Sequence, residues 1–97
     1  MLTSKQRANL RSMAQTIEPV TQVGKLGVNE SLIESLDLAI EKRELIKVTV
    51  LENSGLVPKD AAFEISEKLD AELVCVTGRK MVFYRRSFNP KVNYIIF

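Results

Sequence analysis

Leu10, Met13 and Ile17 recur at helical intervals behind a Thr3–Gln6 pair that has capping-box spacing. This pattern predicts a first helix that Pro19 ends, with Arg7 and Arg11 four residues apart on a face flanking the apolar stripe. Val20 to Val23 reads as a short strand. Asn29 is a good N-cap for a second helix and Glu30 suits its first turn. That helix has an apolar face of Leu32, Ile33, Leu36, Ala39 and Ile40, and an opposing acidic face of Glu34, Asp37 and Glu41. Ile46, Val48 and Val50 alternate with Lys47 and Thr49, so residues 45–51 form the clearest strand. A loop at Asn53–Gly55 follows. Pro58 then opens a third helix with an inner stripe of Ala62, Ile65 and Leu69, closed by Asp70. Residues 73–77 and 81–85 are expected to pair as an antiparallel hairpin around a tight turn at Gly78-Arg79. The order α-β-α-β-α-β-β predicts an α/β fold, a two-layer sandwich of helices on a four-stranded mixed sheet. Strand order does not follow from this pattern.

Length and composition narrow the class. The chain has 97 residues, of which 45% are hydrophobic. That is one domain over 1–97, with enough apolar content for a core. No apolar run approaches the roughly 20 residues of a membrane helix, and no apolar stretch follows the N-terminal cations, so the expected location is cytoplasmic. The chain has one cysteine, Cys75, and no histidine. This excludes an internal disulfide, a Cys/His zinc site and catalysis by a serine–histidine or cysteine–histidine pair.

The net charge of +2 hides a strong pattern. Residues 1–28 carry +3, residues 29–72 carry −6 and residues 73–97 carry +5. A basic–acidic–basic chain can fold with one cationic face that steers polyanions.

The candidate chemistry sits between the first strand and the second helix, at Gly24-Lys25-Leu26-Gly27. Glycines permit positive φ and close approach of another backbone. The loop leads towards a helix N-terminus, which favours anions, and Lys25 adds a mobile cation. GXXG loops in RNA-binding modules clamp the nucleic-acid backbone in this way. Around it we expect one joint phosphate-binding surface from Lys5, Arg7 and Arg11 on the first helix, Arg79 and Lys80 in the last turn, and Arg85 and Arg86 closing the last strand. Tyr84 is a candidate either for stacking on a base or for core packing.

Four stretches, LTSKQRANLRSMA, PVTQVGKLGVNESL, ELIKVTVLENS and GRKMVFYRR, together resemble the CRM domain family, named for chloroplast RNA splicing and ribosome maturation. In particular they resemble its free-standing bacterial YhbY-like members. They span residues 1 to about 86, in the order and nearly the spacing of the family. The resemblance implies a fold like the C-terminal domain of translation initiation factor three. It implies RNA binding through the loop Gly24–Gly27 and adjacent basic surface. For bacterial members it implies association with precursors of the large ribosomal subunit. Two features depart from the family pattern. Arg86 follows Arg85 where proline is frequent, and the apolar tail at 88–97 (Phe88, Tyr94, Ile95, Ile96, Phe97) has no counterpart.

The leading expectation is thus a non-catalytic RNA-binding protein whose partners are ribosomal RNA and precursor large subunits. No cofactor, metal, membrane or small-molecule substrate is expected, and a monomer is favoured. The alternative is a protein-interaction module that uses the apolar tail or the acidic helix face.

Overall fold

A computed structural model describes residues 2–87; the tail at 88–97 lies outside them. The elements follow the predicted order: α1 (Ser4–Ala14), β1 (Thr21–Val23), α2 (Glu30–Arg43), β2 (Leu45–Val50), α3 (Pro58–Leu69), β3 (Glu72–Thr77) and β4 (Lys80–Tyr84), with a short 3-10 turn at Glu52–Ser54. Local chemistry sets the helix ends. Thr3 Oγ1 accepts the Gln6 N–H while Gln6 Oε1 accepts the Thr3 N–H, closing the capping box. Asn29 Oδ1 accepts the Leu32 N–H at the head of α2. Pro58 occupies the first turn of α3, and Asp70 ends that helix in the left-handed region at φ +53°.

The sheet order is β1-β2-β4-β3. The α2 crossover makes β1 parallel to β2, while β4 runs antiparallel to both β2 and β3. The α/β class and the mixed four-stranded sheet thus stand as expected. The layering differs from the expected sandwich, because both faces of the sheet are covered. Val23, Ile46, Val48, Val50, Met81 and Phe83 bury against α2 and α3. Leu45, Val82, Tyr84 and Val74 point the other way and bury against Leu10 and Ala14 of α1. Alternation in β4 accounts for this: Met81 and Phe83 point to one face and Val82 and Tyr84 to the other, so neither face can be left to water. Each fully buried Leu, Ile, Val or Phe contributes about 1.5–3 kcal/mol.

Two smaller expectations shift. Met13 is exposed, and Ala14 takes the core position beside Leu10. Tyr84 is buried, so of its two expected roles it takes the core one. Burial, and secondarily the negative charge of Glu44, raises the pKa of its phenol, against an opposing pull from Arg86.

A candidate nucleic-acid interface at one end of the sheet

The glycine loop is a compact turn in which the Gly27 N–H bonds the Gly24 carbonyl at 3.0 Å. Gly27 has φ +69°, which explains that glycine. Gly24 is explained by neither strain nor crowding: its φ is not positive, and an added Cβ would meet only Leu51 Cδ1 at an ordinary 3.8 Å. Lys25 and Leu26 occupy the two tip positions, and Leu26 is 86% exposed. An apolar side chain this exposed at a loop tip contributes little to the core.

Leu51 joins this loop to the β3–β4 turn. Its N–H bonds the Val23 carbonyl at 2.9 Å, the residue before Gly24, and its carbonyl accepts from the Arg79 guanidinium at 3.5 Å. The Val50 N–H bonds the Arg79 carbonyl at 2.7 Å. Gly78 takes φ +58° and Arg79 does not take positive φ, the pattern of a type II′ hairpin turn. That turn places Arg79 at the tip and starts β4 at Lys80. Lys25, far in sequence from Arg79 and Lys80, therefore shares one end of the sheet with them. Glu30 and Glu52 open α2 and the 3-10 turn at this same end.

The register places further polar groups beside them. Thr49 pairs with Gln22, with Lys80 and, through Lys80, with Thr77, giving a polar row across all four strands. Residues paired across strands share a face. This row lies on the α1 side of the sheet but beyond the cluster that α1 covers: Gln22, Thr77 and Lys80 are exposed. One row further in, Lys47 pairs with Val82, which also pairs with Cys75. Arg11 from α1 joins Lys47 and Lys80 on the wall of the same groove. Lys47 was missed in the sequence because it reads as the polar half of a strand alternation. Only the pairing register reveals the company it keeps.

The other expected cations lie elsewhere. Arg85 follows Tyr84 and so stands about 16 Å from Lys80 along β4. Its guanidinium bonds Asp37 Oδ1 at 2.8 Å, the Leu69 carbonyl at 2.7 Å and Glu41 Oε2 at 3.3 Å, and the side chain is only 16% exposed. Its donors serve the fold, since they neutralise the acidic face of α2 and hold it to the end of α3. Arg86 lies at that same far end, beside Asp70, Glu72 and Tyr84. Arg7 is half-buried and donates to the carbonyls of Leu73 and Val74, where the edge strand β3 has its irregular register. Lys5 is exposed in the first turn of α1. The expected cations thus do not form a single surface: Lys25, Arg79 and Lys80 share the end of the sheet that carries the glycine turn, with Arg11 on the groove beside Lys80, while Arg85 and Arg86 sit at the opposite end and Arg7 at the start of β3.

The same two carboxylates bear on the interaction-module alternative. Asp37 and Glu41 of the acidic helix face are already engaged by Arg85. The apolar tail named in that alternative falls outside the described residues.

The model of the CRS1/YhbY (CRM) domain matches residues 2–85. The chain belongs to the CRM domain family. This CRM domain is 42% identical over 91 residues to the probable RNA-binding protein YqeI of Bacillus subtilis, covering 94% of this chain and 95% of that one. It is 41% identical over 88 residues to the probable RNA-binding protein MJ0652 of Methanocaldococcus jannaschii, covering 87% of this chain and 63% of the relative. The solution structure of SAV1595 from Staphylococcus aureus superimposes with a TM-score of 0.75 at 43% identity, covering 94% of this chain and 95% of that one. No helix among the described residues of this CRM domain is long and apolar enough to cross a membrane.

The two glycines of the CRM domain loop make separable predictions. Gly24→Ala is expected to leave the melting temperature within about 2 °C of wild type, because the site accepts a Cβ. Gly27→Ala is expected to cost about 1 kcal/mol, because alanine must hold a left-handed φ. Thermal denaturation followed by circular dichroism checks both.

Proposed function

We propose that this protein is a non-catalytic RNA-binding protein that captures structured ribosomal RNA on precursors of the large ribosomal subunit, in the cytoplasm. The observation that carries the reading is the convergence of the Gly24–Gly27 turn with Arg79 and Lys80 through the hydrogen bonds of Leu51. Relatives named as probable RNA-binding proteins, aligned over most of this chain, support RNA as the ligand class.

The mechanism is positional. Gly24 has no side chain, so a sugar-phosphate backbone can approach the peptide closely there. Lys25 neutralises phosphate as a point charge, and Arg79 offers a planar fork of donors. Lys80 and the polar row behind it extend the contact along the sheet. Contacts of this type fix where the RNA lies and carry little sequence information. Selectivity then comes from RNA shape and from neighbouring components of the particle.

The test is sedimentation of the tagged protein in cell lysate. Wild type is expected to comigrate with immature large subunits, and a Lys25→Glu/Arg79→Glu double variant of unchanged stability to remain at the top of the gradient. Comigration of the double variant would refute the role of this surface. Absence of the wild type from ribosomal fractions would refute the assembly role.

A further inference from the structure

The groove between α1 and the exposed end of the sheet is distinct from the glycine turn, and its lining is specific. Arg11, Lys47 and Lys80 bring three cations to it from three different elements. Gln15 and Thr77 add hydrogen-bonding groups at its margin, and Ala14, Cys75 and Val82 give it an apolar floor. Among the described residues no carboxylate lines it. Its volume of about 280 Å³ lies just under the roughly 300–1,000 Å³ of small-molecule sites.

We propose that this groove takes a single unpaired ribonucleotide of the bound RNA, with its phosphate among Arg11, Lys47 and Lys80 and one face of its base on the apolar floor. The inference rests on the RNA-binding reading above and specifies what kind of RNA this surface prefers. A concentration of cations without a counter-carboxylate is matched by an anion, and phosphate is the anion that RNA supplies. An apolar floor next to amide and hydroxyl groups matches a base, which has a flat face and hydrogen-bonding edges. The groove is also too small for a helix and is reached only by a base that has left its stack. Continuity with the turn fixes the source of the nucleotide. Lys80 lies on the groove wall and, through Thr49, two strand spacings (about 10 Å) from Gln22, which stands two residues before Gly24. A strand held at the glycine turn therefore passes over the groove.

The experiment compares two RNA hairpins, one fully paired and one with a single-nucleotide bulge, and uses Cys75 as the reporter. Cys75 is the chain's one cysteine, is partly exposed and lies on the groove floor. The bulged hairpin is expected to bind about tenfold more tightly than the paired one and to slow alkylation of Cys75 by a small maleimide at least fivefold. The paired hairpin is expected to bind without protecting the thiol. Lys47→Met keeps the aliphatic packing of the stem and is expected to abolish the tenfold preference for the bulged hairpin over the paired one. Lys25→Ala is expected to weaken both to the same extent. Equal binding of the two hairpins with unprotected Cys75 would overturn the groove while leaving the RNA-binding reading intact. Protection by free uridine monophosphate as strong as by the bulged hairpin would overturn the role of the RNA strand. Binding of neither hairpin would refute the RNA-binding reading itself, and the groove with it.

Discussion

Raising the salt concentration from about 50 mM to about 200 mM is expected to weaken RNA binding by roughly 100- to 500-fold. Arg11, Lys25, Lys47, Arg79 and Lys80 are the cations gathered around the glycine turn and its groove. If each neutralises one phosphate, the logarithm of affinity falls against that of salt with a slope of about −3.5 for single strands and −4.5 for duplex. Counting Arg85 and Arg86 as well would steepen the slope by about 1.5 to 2. A filter-binding titration at several salt concentrations therefore distinguishes the divided arrangement from the undivided one. A slope near −1 would show that phosphate contacts contribute little, and would remove the basis for the proposed function. Replacing Arg79 alone by alanine is expected to make the slope shallower by slightly less than one.

Arg85→Ala has the opposite profile. It is expected to destabilise the fold by about 2–3 kcal/mol while changing RNA affinity less than twofold at temperatures where the variant is folded. The guanidinium is mostly buried and meets Asp37, Glu41 and the Leu69 carbonyl at once. Its removal leaves two carboxylates facing each other and a carbonyl without its charged donor, which costs about 3–5 kcal/mol for a fully buried pair. The lower figure applies because the Asp37 side chain is 56% exposed, so water recovers part of the loss. Urea denaturation checks the stability and a filter-binding assay the affinity. Lost affinity with unchanged stability would return Arg85 to the RNA surface.

The contrast between Arg79 and Arg85 shows how much the sequence conveys. Both are arginines in the basic C-terminal segment; Gly78 marks the turn beside Arg79, but nothing local to Arg85 indicates that it meets carboxylates of α2. The element order, the helix caps at Thr3 and Asn29 and the hairpin turn at Gly78 were legible because each is written in local chemistry: a side chain bonding within four residues, or a backbone angle only glycine takes easily. The partition of the cations was not, since it depends on pairing between distant segments. Arg85 meets Asp37 across 48 residues and Arg79 meets Leu51 across 28. The acidic face of α2 is a binding partner for one of the cations expected to contact RNA. Glu44 escaped notice for a similar reason. It ends α2 at φ +65°, where glycine or asparagine is usual, yet it is buried with its Oε2 accepting the Ser87 N–H at 2.7 Å. A long-range anchor there outweighs local backbone preference. Lys47 illustrates the converse, since the alternation that identified the strand also disguised the lysine as ordinary strand polarity.

The way the glycine turn is mounted has a mechanical consequence. β1 contributes three residues and is paired on one side only, whereas β4, which carries Lys80, is flanked by strands on both sides. The two sides of the proposed grip are thus held differently, one by an edge strand and the other by an inner one. On the proposed function, a difference in RNA width would be taken up on the glycine-turn side, which hangs on a singly paired edge strand, before it is taken up at β4.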